Sequence, residues 1–175
     1  MPRKSLVELL QKFPNKPWNR YFVSGNPSIT WEMVVNNPDL TWDWSGLAEN
    51  LNIAWKIVTN NAPNKSLHWS WLSANPKITW DVVADNPGEL WNWNELSRNP
   101  NITWEIVINN PNKPWDWDAL SRNQSMTWEI VSSSLDKPWN WYWLSGNPNM
   151  TPEIVASNPD MPWDWNGLSR NRSIS

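Results

Sequence analysis

Few side chains in this sequence are equipped for covalent or acid–base chemistry. His68 is the only histidine and there is no cysteine. A lone imidazole offers a base or one metal ligand, but nothing completes a zinc site or a triad around it. Asp43, Asp116 and Asp164 invite a reading as acid–base groups. They recur at multiples of about 24 residues, each opening the same motif, which makes them helix caps first. His68 stands at an equivalent place and reads as a substitute cap. Glu32, Glu105, Glu129 and Glu153 complement the positive end of a helix dipole. No Gly-rich phosphate loop or nucleophile motif appears. The expectation is a protein without catalytic residues, metal or cofactor.

Side chains suited to recognition are better represented. Between the regular positions of the motif lie variable pairs: Tyr21-Phe22, Ser45-Gly46, Ser70-Trp71, Asn94-Glu95, Asp118-Ala119, Tyr142-Trp143 and Asn166-Gly167. A further variable rank follows at Gly25, Glu49, Ala74, Arg98, Arg122, Gly146 and Arg170. Aromatic and Arg residues dominate binding hot spots, so Tyr21, Phe22, Trp71, Arg98, Arg122, Tyr142 and Trp143 are the candidates for contact with a partner. The competing role for Trp71 and Trp143 is to fill gaps beside smaller neighbours. A non-enzymatic scaffold that binds a protein partner, or its own copies, along one face is therefore expected. One alternative is single-stranded RNA read one nucleotide per repeat, with Arg98, Arg122, Arg170 and Arg172 on one side. The net charge of −3 counts against it. Another is glycan stacking on exposed indoles.

These positions are carried on short helices written in one grammar, seen most clearly from Ile102 to Gln124. Thr103-Trp104-Glu105-Ile106-Val107 opens a first type of helix, and Asp116-Trp117-Asp118-Ala119-Leu120 opens a second. Thr103 and Asp116 sit where a side-chain oxygen can accept from an unpaired N–H of the first turn. Ile102 with Val107, and Trp115 with Leu120, have staple spacing. Asn110 and Asn123 close the helices, where a left-handed residue is expected, and the Pro that usually follows, Pro111 in the first case, prevents continuation. Pro152 replaces the opening Trp in one unit, as the first helical position allows. The rival is a β-solenoid, since Ile102, Trp104, Ile106 and Ile108 alternate. Val107 breaks that alternation, and Val34, Val58, Val83, Val131 and Val155 do the same in other units. The fold expected is an all-α solenoid of about seven short helix-turn-helix repeats of about 24 residues.

Taken in order, residues 1–17 form a more polar amino-terminal capping helix with Val7 where later units have Trp, and residues 18–175 form the Trp-rich tandem repeats of a single repeat domain. First-type helices are expected from Trp31, Trp55, Trp80, Trp104, Trp128 and Pro152. Second-type helices are expected after Asn19, Asp43, His68, Asn92, Asp116, Asn140 and Asp164. Ala62 is one extra residue in the third unit, and Ser132-Ser133-Ser134-Leu135 replaces an Asn-Pro ending and is expected to fray its helix. Most of the nineteen Trp fall into three ranks: before the second-type caps, opening the second-type helices, and opening the first-type helices. Their regularity marks them as core rather than as ligand stacks. A lone unit is too small to fold, so neighbours must cover its faces. The chain reaches Ser175 where another first-type helix would begin, so either the sequence is cut there or the terminus is natural and uncapped, and in the second case end-to-end association is expected.

The absence of cysteine excludes a disulfide framework and leaves the redox compartment open. No apolar run approaches membrane-spanning length, and Met1-Pro2-Arg3-Lys4-Ser5 leads into no signal-like core. A soluble protein, not membrane-bound and not exported, is expected.

The strings Asn99-Pro100-Asn101-Ile102-Thr103-Trp104-Glu105 and Lys113-Pro114-Trp115-Asp116-Trp117 through Leu120-Ser121-Arg122-Asn123 resemble Trp-rich tandem repeats in uncharacterised proteins of large amoeba-infecting DNA viruses. The resemblance covers residues 14 to 175, with departures at Leu67, His68 and Pro152. It implies a viral origin, hence host cytoplasm or virion, and no activity or catalytic residue.

Overall fold

The computed structural model describes residues 5–53 and 69–174. Among them are thirteen helices and no strand, so the chain is all-α there and the β-solenoid alternative falls. The helices are α1 (Leu6–Lys12), α2 (Arg20–Ser24), α3 (Trp31–Val35), α4 (Trp44–Glu49), α5 (Trp69–Ala74), α6 (Trp80–Ala84), α7 (Trp93–Arg98), α8 (Trp104–Asn109), α9 (Trp117–Arg122), α10 (Trp128–Ser132), α11 (Trp141–Ser145), α12 (Pro152–Ser157) and α13 (Trp165–Leu168). The helix expected from Trp55, the Ala62 shift, Leu67 and the His68 cap lie outside the described residues.

Two compact units result, one of residues 1–78 with 88–90, the other of residues 79–87 with 91–175. In the first, α2 lies against α4 and α4 against α5. In the second, α7, α9, α11 and α13 meet successively in the same way. No described helix is long and apolar enough to cross a membrane.

Helix starts follow the grammar with one correction. The carboxylates of Asp43, Asp116 and Asp164 accept from Gly46, Ala119 and Gly167 backbone N–H at 2.8–2.9 Å. Asn19, Asn92 and Asn140 do so at 3.2 Å. Thr30, Thr127 and Thr151 make longer bonds of 3.4–3.5 Å. Thr103, expected to cap α8, makes none, and neither does Thr79. Their hydroxyls are exposed, where water serves the first-turn N–H groups as well. At the uncapped start of α8 the staple pair Ile102 and Val107 is buried, as is the pair Trp115 and Leu120 at the capped start of α9. Pro152 occupies the first turn of α12 as expected.

Helix ends correct a second expectation. No described residue has a positive φ, so Asn110 and Asn123 do not close their helices in the left-handed conformation. Asn123 is extended, at φ −66° and ψ 129°. The carbonyls left open at one second-type helix end are met by a side-chain amide from the following repeat. Asn123 Nδ2 donates to the carbonyls of Ser97, Asn99 and Ile102 at 2.9–3.2 Å. Asn171 Nδ2 reaches Ser145, Asn147 and Met150 at 2.8–2.9 Å, and Asn50 Nδ2 reaches Ser24, Asn26 and Ile29 at 3.0–3.1 Å. Asn147 Nδ2 bonds the carbonyls of Ser121 and Asn123, both at 3.1 Å. Two amide protons spread over three carbonyls, so part of the set is bifurcated. All four Asn are at most 3 % exposed. A second strut runs alongside: the backbone N–H of Asp43, Asp116, Asn140 and Asp164 donates to Ser24, Ser97, Ser121 and Ser145 Oγ at 2.9–3.0 Å.

The Asn that follow first-type helices work locally. Asn37, Asn86, Asn110 and Asn158 Nδ2 bond the carbonyl four residues back at 2.7–2.8 Å. Their own carbonyls accept the indole N–H of Trp42, Trp91, Trp115 and Trp163 at 2.8–3.1 Å. Ser134 fills this place after α10, bonding Ile130 O through its hydroxyl and Trp139 Nε1 through its carbonyl. The expected fraying is therefore not seen: α10 is five residues long, as α3 and α6 are.

In the second unit Trp also supplies contact between repeats. Trp139 packs on Trp104 and Trp117 of the preceding repeat, with ring centres 5.6 and 5.2 Å apart. Trp115 meets Trp80 and Trp93 in the same way, and Trp163 meets Trp128 and Trp141. Trp91, Trp115, Trp139 and Trp163 are buried, whereas the openers Trp93, Trp104, Trp117, Trp128 and Trp141 are half-buried.

Two glycines set how closely second-type helices approach. A Cβ on Gly46 would come within 2.3 Å of Tyr21 O, and one on Gly167 within 2.3 Å of Tyr142 O. Ala119 fills the equivalent place on α9. Gly to Ala inside a helix ordinarily stabilises by roughly 0.5–1 kcal/mol. Here the backbone carbonyl must move, so Gly167→Ala is expected to destabilise by about 1–3 kcal/mol in urea titration. Gly88→Ala, with open space around it, is expected to leave the midpoint in place.

Candidate functional site

The candidate side chains gather on second-type helices as two clusters, one in each unit. In the first unit, α2 carries Tyr21 and Phe22 and α5 carries Trp71. The Tyr21 and Phe22 rings meet edge to face at 5.3 Å, and Tyr21 lies 5.5 Å from Trp71. Phe22 is 69 % exposed and Trp71 38 %. Tyr21 donates its hydroxyl proton to Glu49 Oε2. Burial, followed by this bond to a carboxylate, pushes the Tyr21 hydroxyl up to about 12 from its ordinary 10. The neutral form is thus the one the fold holds. Its contribution is whole below pH 10 and is lost as pH rises from 10 to about 12. Stability measured across that window should fall, and Tyr21→Phe should flatten that part of the profile.

In the second unit, Arg122 ends α9, Tyr142 and Trp143 follow the opening Trp141 of α11, and Arg170 follows α13. The Arg122 guanidinium lies over the Trp143 ring, 3.0 Å from its centre, and the Arg170 guanidinium lies 5.6 Å from the centre of Tyr142. The two rings stand edge to face at 4.5 Å. These four side chains, with Gly146 and Pro148, border a concavity of about 230 Å³. Arg122 Nε is buried with no hydrogen-bond partner. Burial first, and then the charge of Arg98, lower the pKa of Arg122 from its ordinary value. Arg98 itself is exposed. Asp116 and Asp118 also flank Arg122, but amides from Asn94 and Asn140 engage them at 2.7 Å. The Asn94 bond is the main reason that Asp116 is held below the ordinary carboxylate range.

Of the seven candidates, Arg122, Tyr142 and Trp143 come together around one concavity, and Tyr21, Phe22 and Trp71 form an aromatic cluster. Arg98 adds charge beside the former. Glu49, not singled out from the sequence, completes the first cluster, and Arg170, named there only for the RNA alternative, completes the second; both belong to the same variable rank as Arg98 and Arg122. Trp71 and Trp143 do not fill buried gaps, since each keeps an accessible face. Among the described residues no group of three or more His, Asp or Glu side chains could hold a metal ion.

Compared with protein-family models, curated proteins and solved structures, the chain matches none. The reading of function therefore rests on the geometry above.

Proposed function

We propose that this chain is a non-enzymatic α-solenoid scaffold that holds an acidic segment of a protein partner on the face of its second-type helices. The observation that carries it is the convergence of Arg122, Arg170, Tyr142 and Trp143 around one concavity, with Arg122 Nε buried and unpaired. A buried donor without an acceptor costs about 1–3 kcal/mol, and a carboxylate oxygen would remove that cost. The two rings supply rigid apolar area beside the charge, the composition typical of an interface hot spot. The solenoid part of the proposal extends to the chain what is observed within each unit, where second-type helices of successive repeats pack together, through Asn contacts in both units and Trp contacts in the second. The likeness of Lys113 to Asn123 to viral Trp-rich repeats adds a viral origin and no activity.

A panel of short peptides varying in acidic and apolar positions tests the site. Acidic peptides should bind better than basic ones, and Arg122→Ala and Trp143→Ala should each weaken them at least about tenfold, or ~1.4 kcal/mol. No preference for acidic peptides at low ionic strength would overturn the proposal. A salt-dependent shift of single-stranded RNA instead, lost in the same variants, would favour the RNA reading.

A further inference from the structure

Arg122 has two acids of its own chain close by and pairs with neither. Asp118 and Arg122 share α9, four residues apart with the acid nearer the amino end, the arrangement in which a helix favours an ion pair. No such pair forms. The guanidinium lies instead over the Trp143 ring, 3.0 Å from its centre, with Nε buried and unpaired. Asp116, the cap of α9, flanks the guanidinium too without bonding it.

Each carboxylate is engaged by an amide from a neighbouring repeat. Asn140 Nδ2 donates to Asp118 Oδ1 and Asn94 Nδ2 to Asp116 Oδ2, both at 2.7 Å across 22 residues of sequence. The two pairs run in opposite directions. Between α9 and α11 the later cap is the amide and the earlier variable residue the acid; between α7 and α9 the roles are exchanged. An Asp cap would hold the first turn of α11 as well, as Asp43, Asp116 and Asp164 do for theirs. Asn140 does more than cap. Its Oδ1 accepts from Trp143 N at 3.2 Å while its Nδ2 holds Asp118. One side chain therefore touches both the residue that Arg122 covers and the acid that would compete for Arg122.

We propose that Asn140 is a positioning residue for the acidic-segment site: by holding Asp118 it keeps the Arg122 guanidinium on Trp143 and open to a partner's carboxylate, as Asn94 does by holding Asp116. This rests on the reading of the site given above. A released Asp118 would compete from the same helix, at an effective concentration set by its tether rather than by the amount of peptide.

Asn140→Asp tests this, because Asp keeps the cap and sets a second carboxylate against Asp118. The variant should fold, and its Arg122 Nε–H proton resonance should move downfield as Asp118 takes the guanidinium. Acidic peptides that bind the wild type should bind it at least about tenfold more weakly. Adding Asp118→Asn rebuilds the pair in the direction used by Asn94 and Asp116, and should return both resonance and affinity to wild-type values. A role in packing alone predicts a lower thermal midpoint with the resonance in place. The added charge alone predicts weaker binding with the resonance in place. Either result would overturn the proposal, as would a double variant whose resonance stays shifted. If no acidic peptide binds the wild type, the peptide site itself falls, and the resonance still decides whether Asn140 keeps Asp118 from Arg122.

Discussion

Asn123→Asp is expected to lower the stability of the chain by at least about 3–5 kcal/mol at neutral pH, although the side chain keeps its size and shape. The wild-type amide donates to the carbonyls of Ser97, Asn99 and Ile102 from a position only 2 % exposed. A carboxylate there turns an oxygen toward three oxygens and buries an unpaired charge. The environment would raise the pKa of the new carboxyl, so the variant should recover part of its stability on acidification and lose it again as pH rises. Asn123→Ala removes the charge problem but leaves the carbonyls unsatisfied, for an expected loss of about 2–4 kcal/mol with no such acid recovery. Urea titrations of both variants at several pH values distinguish an amide that bonds across repeats from one that merely ends a helix. In the latter case the three proteins would differ by a few tenths of a kcal/mol, as expected for an exposed helix end.

Trp139→Ala is expected to cost about 3–5 kcal/mol. Its ring is 6 % exposed, packs on Trp104 and Trp117 of the preceding repeat, and donates its N–H to Ser134 O at 2.9 Å. Removing it leaves a cavity between two layers and an unpaired carbonyl. Trp165→Ala removes as many atoms from a ring that is 74 % exposed and should shift the urea midpoint little. Equal losses from the two substitutions would mean that the cap-preceding Trp rank does not join the repeats.

Helix placement was legible in the sequence because capping, staple and Trp positions repeat together. Pro152 at the start of α12 shows how local that signal is, since it depends on one residue's missing N–H. The buried apolar positions followed from the same spacing, Ile102, Val107, Trp115 and Leu120 among them. The second-type Asn were misread because Asn at a helix end already satisfies a local rule, while their partners lie 21 to 26 residues earlier. No local rule ties Asn123 to Ser97. The 24-residue period was the available clue, for a stop signal alone has no need of Asn at a buried position in successive repeats.

At the candidate site, residue types were legible and their grouping was not. Arg122, Tyr142 and Trp143 stand on adjacent second-type helices, and their meeting depends on how closely those helices approach. Gly167 sets the next approach, that of α13, which Arg170 follows, to α11, because it admits the carbonyl of Tyr142. Gly46 does the same for Tyr21. Each glycine follows a repeat bearing an aromatic pair, Tyr21-Phe22 or Tyr142-Trp143, a pairing visible in the sequence only once the contact is known. Arg170 belongs to the same rank as Arg122 but was placed only in the RNA alternative, because its neighbours in the variable pair, Asn166 and Gly167, are not hot-spot types.

The most direct test of the account is hydrogen exchange of side-chain amides in Asn-selectively 15N-labelled protein. The Nδ2 protons of Asn50, Asn123, Asn147 and Asn171, bonded to carbonyls of the preceding repeat, should exchange far more slowly than those of exposed Asn109 and Asn112. Exchange as fast in the first four as in the exposed pair would contradict the claim that buried Asn amides join successive repeats.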